Sequence, residues 1–301
     1  MKKVNFITRT SISSYYYVVK YAIAWLDPSK YYTMISNRYV IGALNIFVED
    51  MWYAFNTSPV AEVYWLDTAL YYADIVDKVR LQRRKGKNIE VWVTSEYNAI
   101  QCRKYFPNCR VVGRLVSPIL FAYKPLSYGE KIYDLAFFGK ASDPRKNYSM
   151  FTRICRELNL KCWSTTNYNT LSLYELIDRI RKTKYLLWIT LSEGFGMPLM
   201  ESQALGVPAI CSNAHANKEY CYTGMIDNNM FVDVKEVKPV KYLWYRTLAH
   251  IPDYEDLKRA VKYALSIGEE EYNRLSQMVR EKARQYNIRT ANRLTGLLDN
   301  L

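Results

Sequence analysis

The segment LSEGFGMPLMESQALGVPAICSN, Leu191 to Asn213, decides how the rest of the chain is read. The residues leading into it, YLLWITL from Tyr185, are apolar at consecutive positions, as in a strand covered on both faces. SEGFG is then a turn, Pro198 a natural first helical residue and Gly206 a helix stop, after which PAICSN returns as a strand. Gly194 and Gly196 let backbone approach a ligand closely. Glu193 stands on the turn and Glu201 about one helical turn in. Carboxylates only accept hydrogen bonds, so such a pair suits a polyhydroxylated ligand, a sugar or a ribose. Without a companion motif both would read as solvated surface residues.

Strand and helix signals alternate on either side. VNFIT, YYTMIS, EVYWLD, EVWVTS and CRVVGRLV are predicted strands in the first half, and YDLAFFG, KCWSTT, YLLWITL, PAICSN and MFVDV in the second. Asp143-Pro144 predicts a helix beginning at Pro144, and Ser172 with Glu175 a capping box. After Pro252 the pattern is helical throughout. This alternation predicts parallel sheets with helices on both faces. Pro, Ser and Gly cluster at FAYKPLSYGEK, residues 121–131, and predict a boundary there.

Composition narrows the class. The chain has 301 residues, half of them apolar, enough for two cores. Its 42 Lys and Arg against 29 Asp and Glu favour a partner with phosphates or an anionic surface. The basic excess is denser in residues 1–125, with its sharpest run, KVRLQRRKGK, at 78–87. No apolar run reaches the roughly 20 residues of a membrane span, and no cleavage site follows YYYVVKYAIAWL, so a cytoplasmic location is expected. The six cysteines show no C-x-x-C pair and are read as buried thiols, not metal ligands. The 28 tyrosines suggest no function.

The companion motif is AFFGKASDPRKN, a strand ending in Gly139, then a loop flanked by Lys140 and Lys146. With the N–H groups of a helix starting at Pro144, these lysines could hold a diphosphate without a metal ion. Together the two segments resemble the signature of retaining GT-B glycosyltransferases, in particular glycosyltransferase family 4. That pattern has a glutamate, Gly-Phe-Gly, a proline, a second glutamate eight positions after the first, and Ala-x-Gly-x-Pro-x-Ile. The resemblance extends over roughly residues 90–285. It implies that Lys140 and Lys146 contact the donor diphosphate, that Glu201 accepts from the ribose and that Glu193 meets the transferred sugar. Gly139, Gly194, Phe195, Gly196, Met197, Pro198 and Leu199 would complete the donor site. The family usually carries arginine where Lys140 stands, and a lysine keeps the charge but loses the bidentate fork. A histidine common in the family's N-terminal domain has no counterpart, since both histidines, His215 and His250, lie in the second half. Asp67 of YWLDT is the candidate substitute, with strand-end capping as the alternative. His215 reads as a loop residue.

The expected fold is therefore α/β with GT-B architecture: two Rossmann-like doubly wound domains facing across a cleft. The acceptor domain is expected at 1–125, the nucleotide-sugar donor domain at 126–285, and at 286–301 a terminal helix that crosses back. The expected activity is a transferase, a metal-independent retaining hexosyl transfer from a nucleotide-diphosphate sugar, GDP- or UDP-linked, with no cofactor. The acceptor hydroxyl would be lipid-linked, or belong to a glycan or a protein glycan. Residues 78–87 read as a solvated helix end or as a peripheral contact with anionic membrane. The rival reading is a nucleic-acid-binding protein, or a glycosyltransferase that modifies DNA, on the same fold.

Overall fold

The computed structural model describes residues 1–8, 14–49, 61–66, 90–104, 106–167, 171–242 and 245–301. They divide into two units, Met1–Pro118 with Asn287–Leu301, and Ile119–Tyr286.

In the first unit the chain runs β1 (Lys2–Ile7), α1 (Ser14–Ala24), β2 (Tyr31–Ser36), β3 (Leu44–Glu49), β4 (Val63–Leu66), β5 (Glu90–Val93), α2 (Glu96–Arg103) and β6 (Arg110–Val111). All pairings are parallel, in the order β2-β1-β3-β4-β5-β6. Its centre is aromatic: Trp65 and Trp92 are fully buried edge to face at 6.1 Å, and the Arg114 guanidinium lies 4.7 Å from the Trp65 ring. The sequence reading missed β3, whose apolar run is interrupted by Asn45. That side chain is fully buried because it accepts from Asn5 Nδ2 at 2.8 Å and donates to the Val40 and Ala43 carbonyls.

In the second unit the order along the chain is β7 (Tyr133–Phe137), α3 (Tyr148–Glu157), β8 (Cys162–Ser164), α4 (Leu173–Arg181), β9 (Thr183–Trp188), α5 (Met197–Ala204), β10 (Ala209–Ser212), α6 (Asn217–Tyr220), α7 (Tyr222–Ile226) and β11 (Phe231–Val232). An antiparallel hairpin, β12 (Val234–Tyr242) and β13 (Tyr245–Pro252), follows, then α8 (Tyr254–Ser266) and α9 (Glu269–Asn300), whose residues from Asn287 on belong to the first unit. The sheet order is β11-β10-β9-β7-β8, again all parallel. Tyrosines fasten the helices to it: Tyr185 donates its hydroxyl to the Ala264 carbonyl and Tyr272 to that of Lys184, each at 2.7 Å. Among the described residues no helix is long and apolar enough to cross a membrane.

The capping box at Ser172 and Glu175 is present. The helix expected to begin at Pro144 is not. Asp143 caps a short 3-10 turn, Pro144–Lys146, and Asn147 then adopts a left-handed conformation, φ 58°, so α3 starts only at Tyr148. One left-handed residue is enough to break the helix between turn and α3.

The cysteines also depart from expectation. They form three disulfides, Cys102–Cys109, Cys155–Cys162 and Cys211–Cys221, instead of standing as thiols. The first two join a helix to a strand or the approach to one, and the third joins β10 to the junction of α6 and α7, with Cα atoms 6.1–6.5 Å apart, within bonding range. Disulfides persist in oxidising compartments and in intracellular proteins of hyperthermophiles, so they decide no location alone.

Helix α5 ends in a Schellman motif. Val207 N–H reaches the Ser202 carbonyl at 2.9 Å and Gly206 N–H that of Gln203 at 3.0 Å, with Gly206 left-handed at φ 74°.

Candidate functional site

The second unit follows the doubly wound order in which the first strand, β7, lies between the second, β8, and the third, β9. The connections after β7 and β9 leave on opposite faces, and the crevice at their carboxyl ends is the expected ligand position. Both sequence motifs lie there: Gly139 to Lys146 follows β7, and Ser192 to Gly196 follows β9.

The two loops are joined. Leu191 N–H donates to the Arg145 carbonyl at 2.7 Å, and Lys146 Nζ donates to Glu193 Oε2 at 2.7 Å. Lys146 also lies over the Trp188 indole, 4.9 Å from its centroid. Gly139 packs against Lys146, and its N–H is held by Thr165 Oγ1 at 3.0 Å. Gly196 caps α5 with φ 86° directly over Trp188, where a Cβ would fall 3.0 Å from the indole nitrogen. Only glycine permits that approach. Burial raises the Glu193 carboxyl, but the charge and hydrogen bond of Lys146, with Arg145 beyond, more than offset it and hold the group below the usual carboxylate range.

Glu201 is different. It is half-buried on α5, and among the described residues no hydrogen bond or ion pair reaches its carboxylate. Burial pushes it up to about 7. A carboxylate in this position has acceptor capacity that a hydroxyl-bearing ligand would use.

Of the other expected residues, Lys140 is exposed, and Met197 and Pro198 are half-buried in the first turn of α5. Phe195 and Leu199 are fully buried. The Phe195 ring packs at a tilt against Tyr220, centroids 4.6 Å apart, so its side chain is core. Asp67 and residues 78–87 lie outside the described residues.

The structure adds Trp188, which sequence reasoning passed over, and places His215, expected as a loop residue, in a turn but buried. Trp188 lies buried beneath Lys146 and Gly196, a place a tryptophan closing an apolar strand could have signalled. His215 is buried at φ 38°, and its Nε2 lies 2.9 Å from the Thr190 carbonyl. A carbonyl only accepts, so Nε2 carries the proton. Burial pulls the ring down to about 4, so it is neutral near pH 7. Its edge meets the His250 ring at 5.6 Å.

His215 and Glu201 oppose each other in the pH dependence of stability. The folded pKa of His215 is depressed, so its contribution is present above about 6.5 and lost as pH falls toward 4. The folded pKa of Glu201 is raised, so its contribution is present below about 4.5 and lost as pH rises through 7. Between about pH 4.5 and 6.5 the two slopes, each at most about 1.4 kcal/mol per pH unit, cancel in the wild type. His215→Gln should leave stability falling with pH there, and Glu201→Gln should leave it rising; denaturant titrations at several pH values read both. Identical curves for the two variants would contradict the assignment.

No family model matches the chain. It is 26% identical over 226 residues to "Putative glycosyltransferase ORF330" of Acidianus filamentous virus 2, covering 64% of this chain and 62% of the relative. It is 28% identical over 245 residues to "Putative glycosyltransferase 41" of Sulfolobus islandicus filamentous virus, covering 74% and 68%. The match thus spans less than two thirds of the first relative's length. Among solved structures, sucrose-phosphate synthase from Thermosynechococcus elongatus superposes with a TM-score of 0.63 over 100% of this chain and 99% of that one, at 11% identity. WaaG, a glycosyltransferase involved in lipopolysaccharide biosynthesis, gives 0.58 over 98% and 99%, at 14% identity. With two parallel doubly wound sheets, the chain has the α/β fold of these GT-B glycosyltransferases.

Proposed function

We propose that the chain is a metal-independent, retaining glycosyltransferase that moves a hexose from a nucleotide-diphosphate sugar to an acceptor hydroxyl. The observation that carries this reading is the half-buried carboxylate of Glu201, without a partner among the described residues, on the helix that follows a lysine–carboxylate pair at the topological switch point. A ribose offers two hydroxyl donors to Glu201, and a diphosphate offers Lys146 a stronger anion than Glu193 does. The sugar then meets the Glu193 carboxylate. Cleaving the sugar–phosphate bond builds positive charge on the ring and negative charge on the leaving diphosphate. Glu193 stabilises the first and Lys146 the second, while exposed Lys140 adds positive charge on the same loop. Likeness to relatives named as glycosyltransferases supports the same activity.

Ligand binding tests it. Hydroxyl donors stabilise the ionised form of Glu201, so binding lowers its pKa and releases a proton. Affinity for the right nucleotide sugar is expected to rise about tenfold from pH 6 to pH 8 and then level off, following ionisation of a group near 7. Glu201→Gln should bind more weakly and lose that dependence. Calorimetry with UDP-, GDP- and ADP-glucose measures both, after a thermal-shift screen in which ligand at 100 times Kd adds about 2.7 kcal/mol. Absence of binding to all three, or a wild-type affinity independent of pH, would refute the reading.

A further inference from the structure

The hairpin β12–β13 belongs to neither parallel sheet. Its outer strand is exposed from Lys235 to Pro239, whereas Thr247 and Ala249 of its inner strand are buried. What the inner strand packs against is the carboxylate turn. His250 N–H donates to the Leu191 carbonyl at 2.7 Å, and the hydroxyls of Thr247 and Ser192, both buried, lie 2.8 Å apart. Leu191 is thereby tied twice, its N–H to Arg145 of the lysine loop and its carbonyl to the hairpin.

This attachment answers a mechanical difficulty. Glu193 is followed by Gly194 and Gly196, which lose the most conformational freedom on being ordered and hold a turn least firmly. Downstream, the chain is fixed where Gly196 sits on Trp188. Upstream, the last side-chain anchor before Glu193 is Ser192, and its partner is on the hairpin. A carboxylate acting on a sugar has to be held within about 0.5 Å of its working position.

We propose that the hairpin is a positioning element for the carboxylate turn, acting through Thr247 as a positioning residue that sets where Glu193 stands. The proposal rests on the glycosyl-transfer reading for its kinetic consequence but not for its structural one.

Three variants test it: Thr247→Val, Thr247→Ser and the double variant Ser192→Ala/Thr247→Val. Removing the Thr247 hydroxyl strands that of Ser192, so the double variant, which removes both, separates the cost of the stranded group from the loss of the tether. In Thr247→Val and in the double variant, amide exchange across residues 192–196 is expected to quicken about tenfold, the loss of one net hydrogen bond. Amides of β7 and β8 should be unchanged. Turnover of the nucleotide sugar should fall about tenfold in kcat with KM for the donor within about twofold, because the lost tether acts on the reacting centre and not on nucleotide binding. Thr247→Ser restores wild-type values, and the double variant melts no lower than Thr247→Val. Unchanged exchange at 192–196, or exchange that quickens uniformly over the unit, would overturn the proposal. A wild-type chain that turns over no nucleotide sugar would instead defeat the glycosyl-transfer reading, and exchange alone would then decide the role of the hairpin.

Discussion

Glu193→Gln is expected to lower the transfer rate by about a hundredfold to a thousandfold, the usual effect of removing one preorganised charge from a transition state. The fold should survive, because glutamine keeps an acceptor for Lys146. Lys146→Met should cost at least as much activity and stability besides, since it leaves Glu193, 12% exposed, without its cation. The two changes are then not additive: Lys146→Met/Glu193→Gln is expected to melt above Lys146→Met alone. Transfer rates and melting curves for the three variants check this. Full activity in Glu193→Gln would remove the carboxylate from the mechanism, and additive melting shifts would mean the 2.7 Å pair is not an energetic unit.

Gly206→Ala is expected to destabilise the chain by about 3 kcal/mol, lowering Tm by roughly 6–12 °C for a unit of this size. Two causes combine. The left-handed φ of 74° strains any side chain, and a Cβ would lie 2.6 Å from Pro125 Cγ and 2.9 Å from Ser276 Oγ. The proline ring cannot rotate away, and Ser276 is engaged with the Gly206 carbonyl. Calorimetry of the variant tests this, and Pro125→Ala in the same chain should recover part of the loss. A shift below about 2 °C would show that the segment at Pro125 yields easily.

Which parts of this were legible in the sequence follows from physical locality. The strands of the second sheet were readable because their apolar runs are continuous and bounded by Gly, Pro and caps. The two loops were readable because their glycines and charges are consecutive in the chain. The Pro144 helix was misread because Asn147 takes a left-handed conformation that competes with a good capping signal. Strand β3 was missed because the partner that makes Asn45 tolerable in a core, Asn5, is forty residues away. The same distance in sequence hid the hairpin's attachment to Leu191 and Ser192, and the pairing of Lys146 with Glu193. Two residues assigned separate tasks, one for phosphate and one for sugar, proved to be each other's partner.

The disulfides carry a consequence for how the chain reaches this state. Six cysteines admit many pairings, but the observed one joins each cysteine to its nearest neighbour along the chain, at separations of 7, 7 and 10 residues. Short loops close with the smallest entropy loss, so random collisions in a reduced, unfolded chain sample these three contacts most often. Oxidation therefore favours the native linkages before any tertiary structure exists, and mispaired forms are the ones that must form against the statistics of the chain.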